Sequence, residues 1–278
     1  MEVCNSNEYA NLPPTQIVPR LADKNIYLAS ESSFYRILRE QGLLAHRNRA
    51  KAPRKIKTPT THVATGPNQL YSWDITYCPT KTRGLFYYLY MVEDIYSRKI
   101  VGWEVYEKEC GQLAADLMQR TVLSEGCFLQ PLVLHSDNGS PMKSATLLAK
   151  LDELSITPSR GRPRVSNDNP YSESLFKTMK YGPTWPFSGF KSLDDARRWV
   201  KEFVCWYNNE HRHSKIKFVT PAQRHQKIDK QILYNRIRVY EEAKTRNSNR
   251  WSGNIRNWQH DKCVWLNPDK TQDMNRAA

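Results

Sequence analysis

Three acidic residues are set apart by their surroundings: Asp74 in Trp73-Asp74-Ile75-Thr76, Asp137 in His135-Ser136-Asp137-Asn138-Gly139, and Glu173 in Tyr171-Ser172-Glu173-Ser174. Most of the chain's 28 Asp and Glu must be solvated surface groups. Asp74, by contrast, interrupts an apolar, strand-like run, where a bare carboxylate costs several kcal/mol unless it is paired or metal-bound. Asp137 closes the apolar run Leu132-Val133-Leu134, and Glu173 sits at the start of a short helical pattern. Hard divalent cations such as Mg²⁺, with Mn²⁺ as a substitute, take oxygen ligands from one or two carboxylates each. Two such ions can activate an attacking oxygen and stabilise the leaving oxygen of a phosphodiester. Three carboxylates suffice if Asp74, central on its strand, bridges while Asp137 and Glu173 each complete one ion. The rival acids are Asp94, which closes a neighbouring strand and could support the site from behind, Asp168, which looks like a helix cap, and Glu153.

The elements that must hold these groups begin at Leu70. Leu70 to Tyr77 reads as a first strand carrying Asp74. Leu85 to Val92 is apolar on both faces, as a central strand should be, and Ile100 to Tyr106 alternates. A helix follows over Gln112 to Ser124, then a strand Leu132 to His135, a helix Ser140 to Leu154 and a short strand at Ile156-Thr157. The order β-β-β-α-β-α-β-α predicts an α/β mixed sheet flanked by helices. Asn169-Pro170 is an N-cap followed by proline at the first helical position, and Gly182-Pro183 stops that helix. At 100° per residue, Glu173, Lys177 and Lys180 fall within about 60° of each other, with Leu175, Phe176 and Met179 on the opposite side. Glu173 can then point across the sheet while the lysines meet the phosphates of a bound strand; a surface Glu–Lys pair is the plainer reading. A long helix capped by Ser192, with Asp195 at the box position, runs to Asn208-Asn209.

Charge names the partner. The chain carries 42 Lys and Arg against 28 Asp and Glu, a net +14, which predicts a polyanion. No apolar run reaches the roughly 18 residues that span a bilayer, and the six scattered cysteines form no metal knuckle. Double-stranded DNA is therefore the expected partner, in a reducing cytosol. Residues 1 to 14 lack periodicity and read as mobile. Ile17 to Leu44 holds two short helices, the first interrupted by Pro19 and the second capped by Ser30 or Ser32, as a helix-turn-helix or a plain helical hairpin. The acid-free stretch that follows places Arg47, Arg49, Lys51, Arg54 and Lys55 against phosphate. Thr58 to Pro67 is a Pro/Thr-rich linker, and the loop Ser159 to Ser166 offers Arg162 and Arg164 to DNA. His211 and His213 are phosphate contacts or surface groups more readily than metal ligands. Residues 215 to 256 hold eleven basic residues against three acids, including a helix over Ala222 to Lys244. Trp251, Trp258 and Trp265, seven apart, form an aromatic-stapled cap or stack on bases.

With these residues in place, the chain resembles the second-frame transposases of insertion sequence family three, whose catalytic core is of the retroviral-integrase type. The resemblance rests on Trp73-Asp74-Ile75-Thr76-Tyr77, Asp94-Ile95-Tyr96-Ser97-Arg98, His135-Ser136-Asp137-Asn138-Gly139-Ser140, Glu173-Ser174-Leu175-Phe176-Lys177 with Lys180, Tyr207-Asn208 and Thr220-Pro221-Ala222. It implies an RNase H-like core over 67–224, preceded by a small helical DNA-binding region and basic linker over 1–66 and followed by a basic C-terminal extension over 225–278. It also implies that Asp74, Asp137 and Glu173 form the metal-binding catalytic triad of an enzyme that cuts element ends and joins them to target DNA. The expected partners are element terminal repeats, target DNA, further copies of the chain, and an upstream-frame helix-turn-helix protein or a frameshift fusion to it. The expected location is the bacterial cytoplasm, on the nucleoid when bound to DNA. Arg212-His213-Ser214 lacks the proline many members carry in this box, and the N-terminal helical unit is shortened. A metal-dependent RNase H-like nuclease and a catalytically silent DNA-binding regulator are the competing functions.

Overall fold

The computed structural model describes residues 1–44, 59–162 and 168–268. The chain divides into two compact units, Met1–Thr58 and Pro59–Ala278.

The first unit contains α1 (Glu2–Asn5), α2 (Pro14–Asp23) and α3 (Glu31–Glu40). Cys4 and Tyr9 are buried with Ile17, Leu21, Phe34 and Leu38, so the segment expected to be mobile contributes to a core. Pro19 does not break α2, which runs through it. Ser30 caps α3 by accepting a hydrogen bond from the Ser33 N–H, and Arg36 and Arg39 are exposed.

The second unit is built on a five-stranded sheet. Its strands are β2 (Leu70–Pro79), β3 (Phe86–Asp94), β4 (Ile100–Tyr106), β5 (Leu132–Ser136) and β6 (Ile156–Arg160), in the order β4-β3-β2-β5-β6. The first three strands pair antiparallel; β5 runs parallel to β2 and β6 parallel to β5. This is the RNase H-like arrangement. The last two strands are parallel because each is reached through a crossover helix, α4 (Gly111–Ser124) and α5 (Ala145–Glu153). These helices bury Leu117, Met118, Val122, Leu147 and Leu151 against Tyr71, Trp73, Tyr90 and Val92 on one face of the sheet. Gly102 permits the close approach of α4, since a Cβ there would lie 2.1 Å from Thr121 Oγ1.

The other face is covered by α6 (Pro170–Lys180) and α7 (Leu193–Asn209). Leu175, Phe176 and Met179 of α6 and Ala196, Val200, Phe203, Val204 and Tyr207 of α7 pack on Cys78, Leu89, Met91, Ile100 and Val105. Each large apolar side chain so buried contributes about 1.5–3 kcal/mol. Glu173 and Lys177 are left exposed on α6.

The second unit also departs from the sequence-based expectations. The Pro/Thr-rich linker contains β1 (His62–Ala64), which pairs antiparallel with β7 (Val264–Leu266) from the far end of the chain. The expected helix over 222–244 is two helices, α8 (Pro221–His225) and α9 (Asp229–Arg246), separated by a turn with Lys227 at φ 63°. The break follows from Arg224, wholly buried and donating to the carbonyls of Tyr96 (2.8 Å) and Asp261 (2.9 Å) and to Asp229 (3.3 Å). These bonds tie α9 and the segment around Asp261 to the core. Finally, the helix expected over Ser140 to Leu154 begins as a 3₁₀ turn (Pro141–Lys143), and α5 starts after its own cap, Ser144. Trp258 is buried with Ile216, Val219 and Leu233, in keeping with an aromatic-stapled cap.

Candidate functional site

Asp74 lies in the middle of β2 opposite Met91, on the face covered by α6 and α7. Its Oδ1 accepts from the Ile75 N–H at 2.8 Å. Burial, and after it the Asp137 charge, push its carboxyl up to about 7; Glu173 adds to the rise, while the Ile75 N–H and the Lys180 ammonium oppose it. The three carboxylates and Lys180 therefore share one field. Asp137 is exposed just beyond β5, its Oδ1 accepting from the Gly139 N–H at 2.8 Å. Gly139 is held close, for a Cβ there would come within 3.1 Å of that oxygen. Glu173 occupies the first turn of α6, where the helix dipole favours a negative charge. Lys180, in the last turn, is half-buried; burial lowers its pKa, and the nearby Cys78 and Asp74 raise it.

Three oxygen donors whose mutual repulsion is only partly relieved by one lysine are a donor set suited to a hard divalent cation. Among the described residues no three His, Cys, Asp or Glu side chains stand close enough to hold one ion. Asp74 and Asp137 instead turn an oxygen to their own backbones.

A buried polar lattice, which the sequence reading did not anticipate, fixes the elements carrying the acids. Ser72, two residues before Asp74 and on the same face, donates to Asn169 Oδ1 at 2.5 Å, and its oxygen lies 2.7 Å from Ser172 Oγ. Asn169 Nδ2 donates to the Trp73 carbonyl. Asn169 thus holds the N-cap position, but its side chain joins α6 to β2 and caps nothing. His135, two residues before Asp137, donates through Nε2 to the Asp168 carbonyl at 3.0 Å, while its Nδ1 faces Ser159 Oγ at 3.0 Å. Burial lowers the pKa of His135, so the neutral ring accepts from Ser159. His62 Nε2, 2.8 Å from the same hydroxyl, is then its donor. Glu93, opposite Ser72 and fully buried, has its carboxyl pushed up to about 8 by burial.

The remaining sequence candidates are placed as follows. Lys177 is exposed. Arg162 is bidentate on Asp168, with Nε at 3.0 Å and a terminal nitrogen at 2.9 Å, and its N–H donates to the same carboxylate at 2.6 Å. Asp168 is accordingly a partner of Arg162 and not a cap. Asp94 is wholly buried and accepts from the Asn68 N–H, the Ser97 N–H and the Ser97 hydroxyl. Glu153 pairs with Lys150 at 2.6 Å. His211 stacks on Tyr207, and His213 Nδ1 accepts from the Lys215 N–H. Arg47, Arg49, Lys51, Arg54, Lys55 and Arg164 lie outside the described residues.

The fold places this chain in the class of integrase cores, and comparison agrees: integrase core domain families match residues 64–166 and 154–221. The chain is 30% identical over 199 residues to the InsF transposase of insertion sequence IS3A from Escherichia coli K12, covering 67% of each chain. It is 30% identical over 168 residues to the transposase of IS904 from Lactococcus lactis, covering 57% of this chain and 61% of that one. The HTLV-2 integrase catalytic core, solved in complex with magnesium, superposes with a TM-score of 0.40 at 20% identity, covering 58% of this chain and 96% of that one. The chain belongs to the IS3-type insertion-sequence transposases. It spans about three-fifths of the length of the Lactococcus relative. Among the described residues no helix is long and apolar enough to cross a membrane.

Proposed function

We propose that this chain is a DNA transposase that cuts the ends of its insertion sequence and joins them to target DNA, using Mg²⁺ or Mn²⁺ held by Asp74, Asp137 and Glu173. The observation that carries the reading is the Asp74 carboxyl, raised to about 7 by burial together with the charges of Asp137 and Glu173. Folding crowds like charges only where some other gain offsets the cost, and a divalent cation supplies it. The ions, when bound, polarise phosphodiester oxygens and neutralise developing charge. Asp74, Asp137 and Glu173 are the residues that would hold them.

The chain's other residues position DNA. Lys180, beside Asp74, and Lys177, one turn before it, face the phosphates flanking the scissile bond and hold the terminal 3′ hydroxyl in line. The basic segment with Arg47, Arg49, Lys51, Arg54 and Lys55, and the loop arginine Arg164, add phosphate contacts that carry no sequence information. The active form is an assembly of several copies on DNA in the bacterial cytoplasm, with recognition of the ends shared with an upstream-frame helix-turn-helix protein or supplied by a frameshift fusion to it.

The test is incubation of the protein with labelled DNA carrying the element's own termini and Mg²⁺, with products sized on a denaturing gel. Joined product longer than the substrate supports the transposase reading. Nicked product alone, on pre-cut ends and with any divalent ion, assigns the chain to the RNase H-like nucleases. No product of either kind leaves a DNA-binding regulator.

A further inference from the structure

The strand at the C-terminal end of the described chain reaches the helix that carries Glu173. β7 pairs with β1 in the register His62↔Leu266, Val63↔Trp265 and Ala64↔Val264. From this strap two hydrogen bonds run to the first turn of α6 and the residue before its cap. The Tyr171 hydroxyl donates to the Trp265 carbonyl at 2.6 Å, and Asn267 Nδ2 donates to the Asp168 carbonyl at 3.1 Å. That carbonyl also receives His135 Nε2 from the strand leading to Asp137. One oxygen therefore gathers β5, the start of α6 and the strap. The strap is secured from β1 as well, since the Thr61 hydroxyl donates to the Asn267 carbonyl at 2.7 Å and His62 reaches Ser159.

We infer that β7 and Asn267 form a positioning strap for Glu173, and that Asn267, Tyr171 and His135 are positioning residues which set the distance between Glu173 and Asp137. The inference rests on the triad reading above. Asn169 and Ser172, on Ser72 and the Trp73 carbonyl, tie the start of α6 to the strand of Asp74. The Asp168 carbonyl is where it is tied to the strand of Asp137. A carboxylate on a helix holds a metal only as well as that helix is held, because misplacement by about 1 Å costs on the order of 10²-fold in a reaction that depends on geometry. The basic C-terminal region, which the sequence presents as a DNA-binding appendage, thereby becomes part of the scaffold of the site.

Two substitutions remove the strap's side-chain contacts with little else. Tyr171→Phe deletes one hydroxyl and keeps the ring that Arg98 covers at 4.1 Å. Asn267 sits at φ 50°, so Asn267→Gly removes the amide and leaves a residue at ease in that conformation. Amide hydrogen exchange on the full chain is the first readout. In both variants exchange should quicken about tenfold or more over residues 168–175, while the α7 amides and the melting temperature stay within error of wild type. The second readout is the Mg²⁺ concentration for half-maximal nicking, which should rise about tenfold with the half-saturating DNA concentration unchanged. Unchanged exchange at 168–175 in both variants overturns the strap. Quickened exchange with an unchanged Mg²⁺ requirement overturns its role in placing Glu173. Glu173→Gln, run alongside, separates the two ideas: if that variant nicks like wild type, the triad reading fails, while the exchange result still decides whether the strap holds α6.

Discussion

Two acids on neighbouring strands of one sheet are treated in opposite ways. At the end of β3, Asp94 is wholly buried and three donors converge on it: the Asn68 N–H at 2.7 Å, the Ser97 N–H at 2.7 Å and the Ser97 hydroxyl at 2.6 Å. His225 stands 4.0 Å away. In the middle of β2, Asp74 has one backbone donor, two other carboxylates and one lysine in its field. Burial raises both carboxyl pKa values, but the neighbours differ in kind. An acid surrounded by donors holds a turn together. An acid surrounded by acids has the environment that a bound cation would relieve.

The largest difference should appear in activity. Asp74→Asn, Asp137→Asn and Glu173→Gln should each lower Mg²⁺-dependent cleavage by on the order of 10²-fold or more, with DNA affinity unchanged. Asp94→Asn should retain cleavage in proportion to the protein that folds. Cleavage by Asp74→Asn near the wild-type rate, with folded Asp94→Asn inactive, would reverse the two roles.

Stability should run the other way. Asp94→Asn sets an amide donor among the donors of Asn68 and Ser97 and should cost about 2–4 kcal/mol, read from the urea midpoint. Asp74→Asn should stabilise the metal-free protein at pH 8. The folded carboxyl titrates near 7, above its ordinary 3.8, so the folded protein keeps a proton that the unfolded chain has released. Its full stability is present below about pH 4 and falls as the pH rises to about 7, by at most about 4 kcal/mol. Unfolding midpoints across that window should decline in wild type and stay flatter in Asp74→Asn, and millimolar Mg²⁺ should restore the wild-type value.

The smallest effect belongs to Lys180. It opposes the rise of Asp74 and is the lysine proposed to meet phosphate, so Lys180→Ala should reduce joining about tenfold, and at least as much as nicking, on pre-cut ends. Non-specific duplex binding should barely change, because one positive charge of 42 is lost. Joining at the wild-type level would make Lys180 an ordinary surface lysine.

Much of the comparison was legible in the residues themselves. The apolar runs carrying Asp74 and Asp137 and the apolar stripe of α6 are local patterns, and local patterns locate strands and a helix face. What escaped was non-local. The three residues of β1 pair with a strand about 200 positions later, and nothing in Thr-His-Val-Ala announces a partner. The break between α8 and α9 depends on Arg224 finding the carbonyls of Tyr96 and Asp261, whereas helical periodicity alone carries on through it. Asn169 before Pro170 looked like a cap, and only the arrival of Ser72 from β2 gives its amide other work. The loop arginine Arg162 looked ready for DNA until Asp168, six residues on, was seen to grip it. In each case the deciding contact joins residues whose nearness the sequence does not record.

The central claim, that Asp74 belongs to a divalent-cation site and Asp94 does not, is tested most directly by counting bound Mn²⁺. Electron paramagnetic resonance titration of the protein on DNA should find about two ions per chain in wild type and in the folded fraction of Asp94→Asn, and neither held tightly in Asp74→Asn. Undiminished Mn²⁺ binding by Asp74→Asn, or its loss from folded Asp94→Asn alone, would contradict the account.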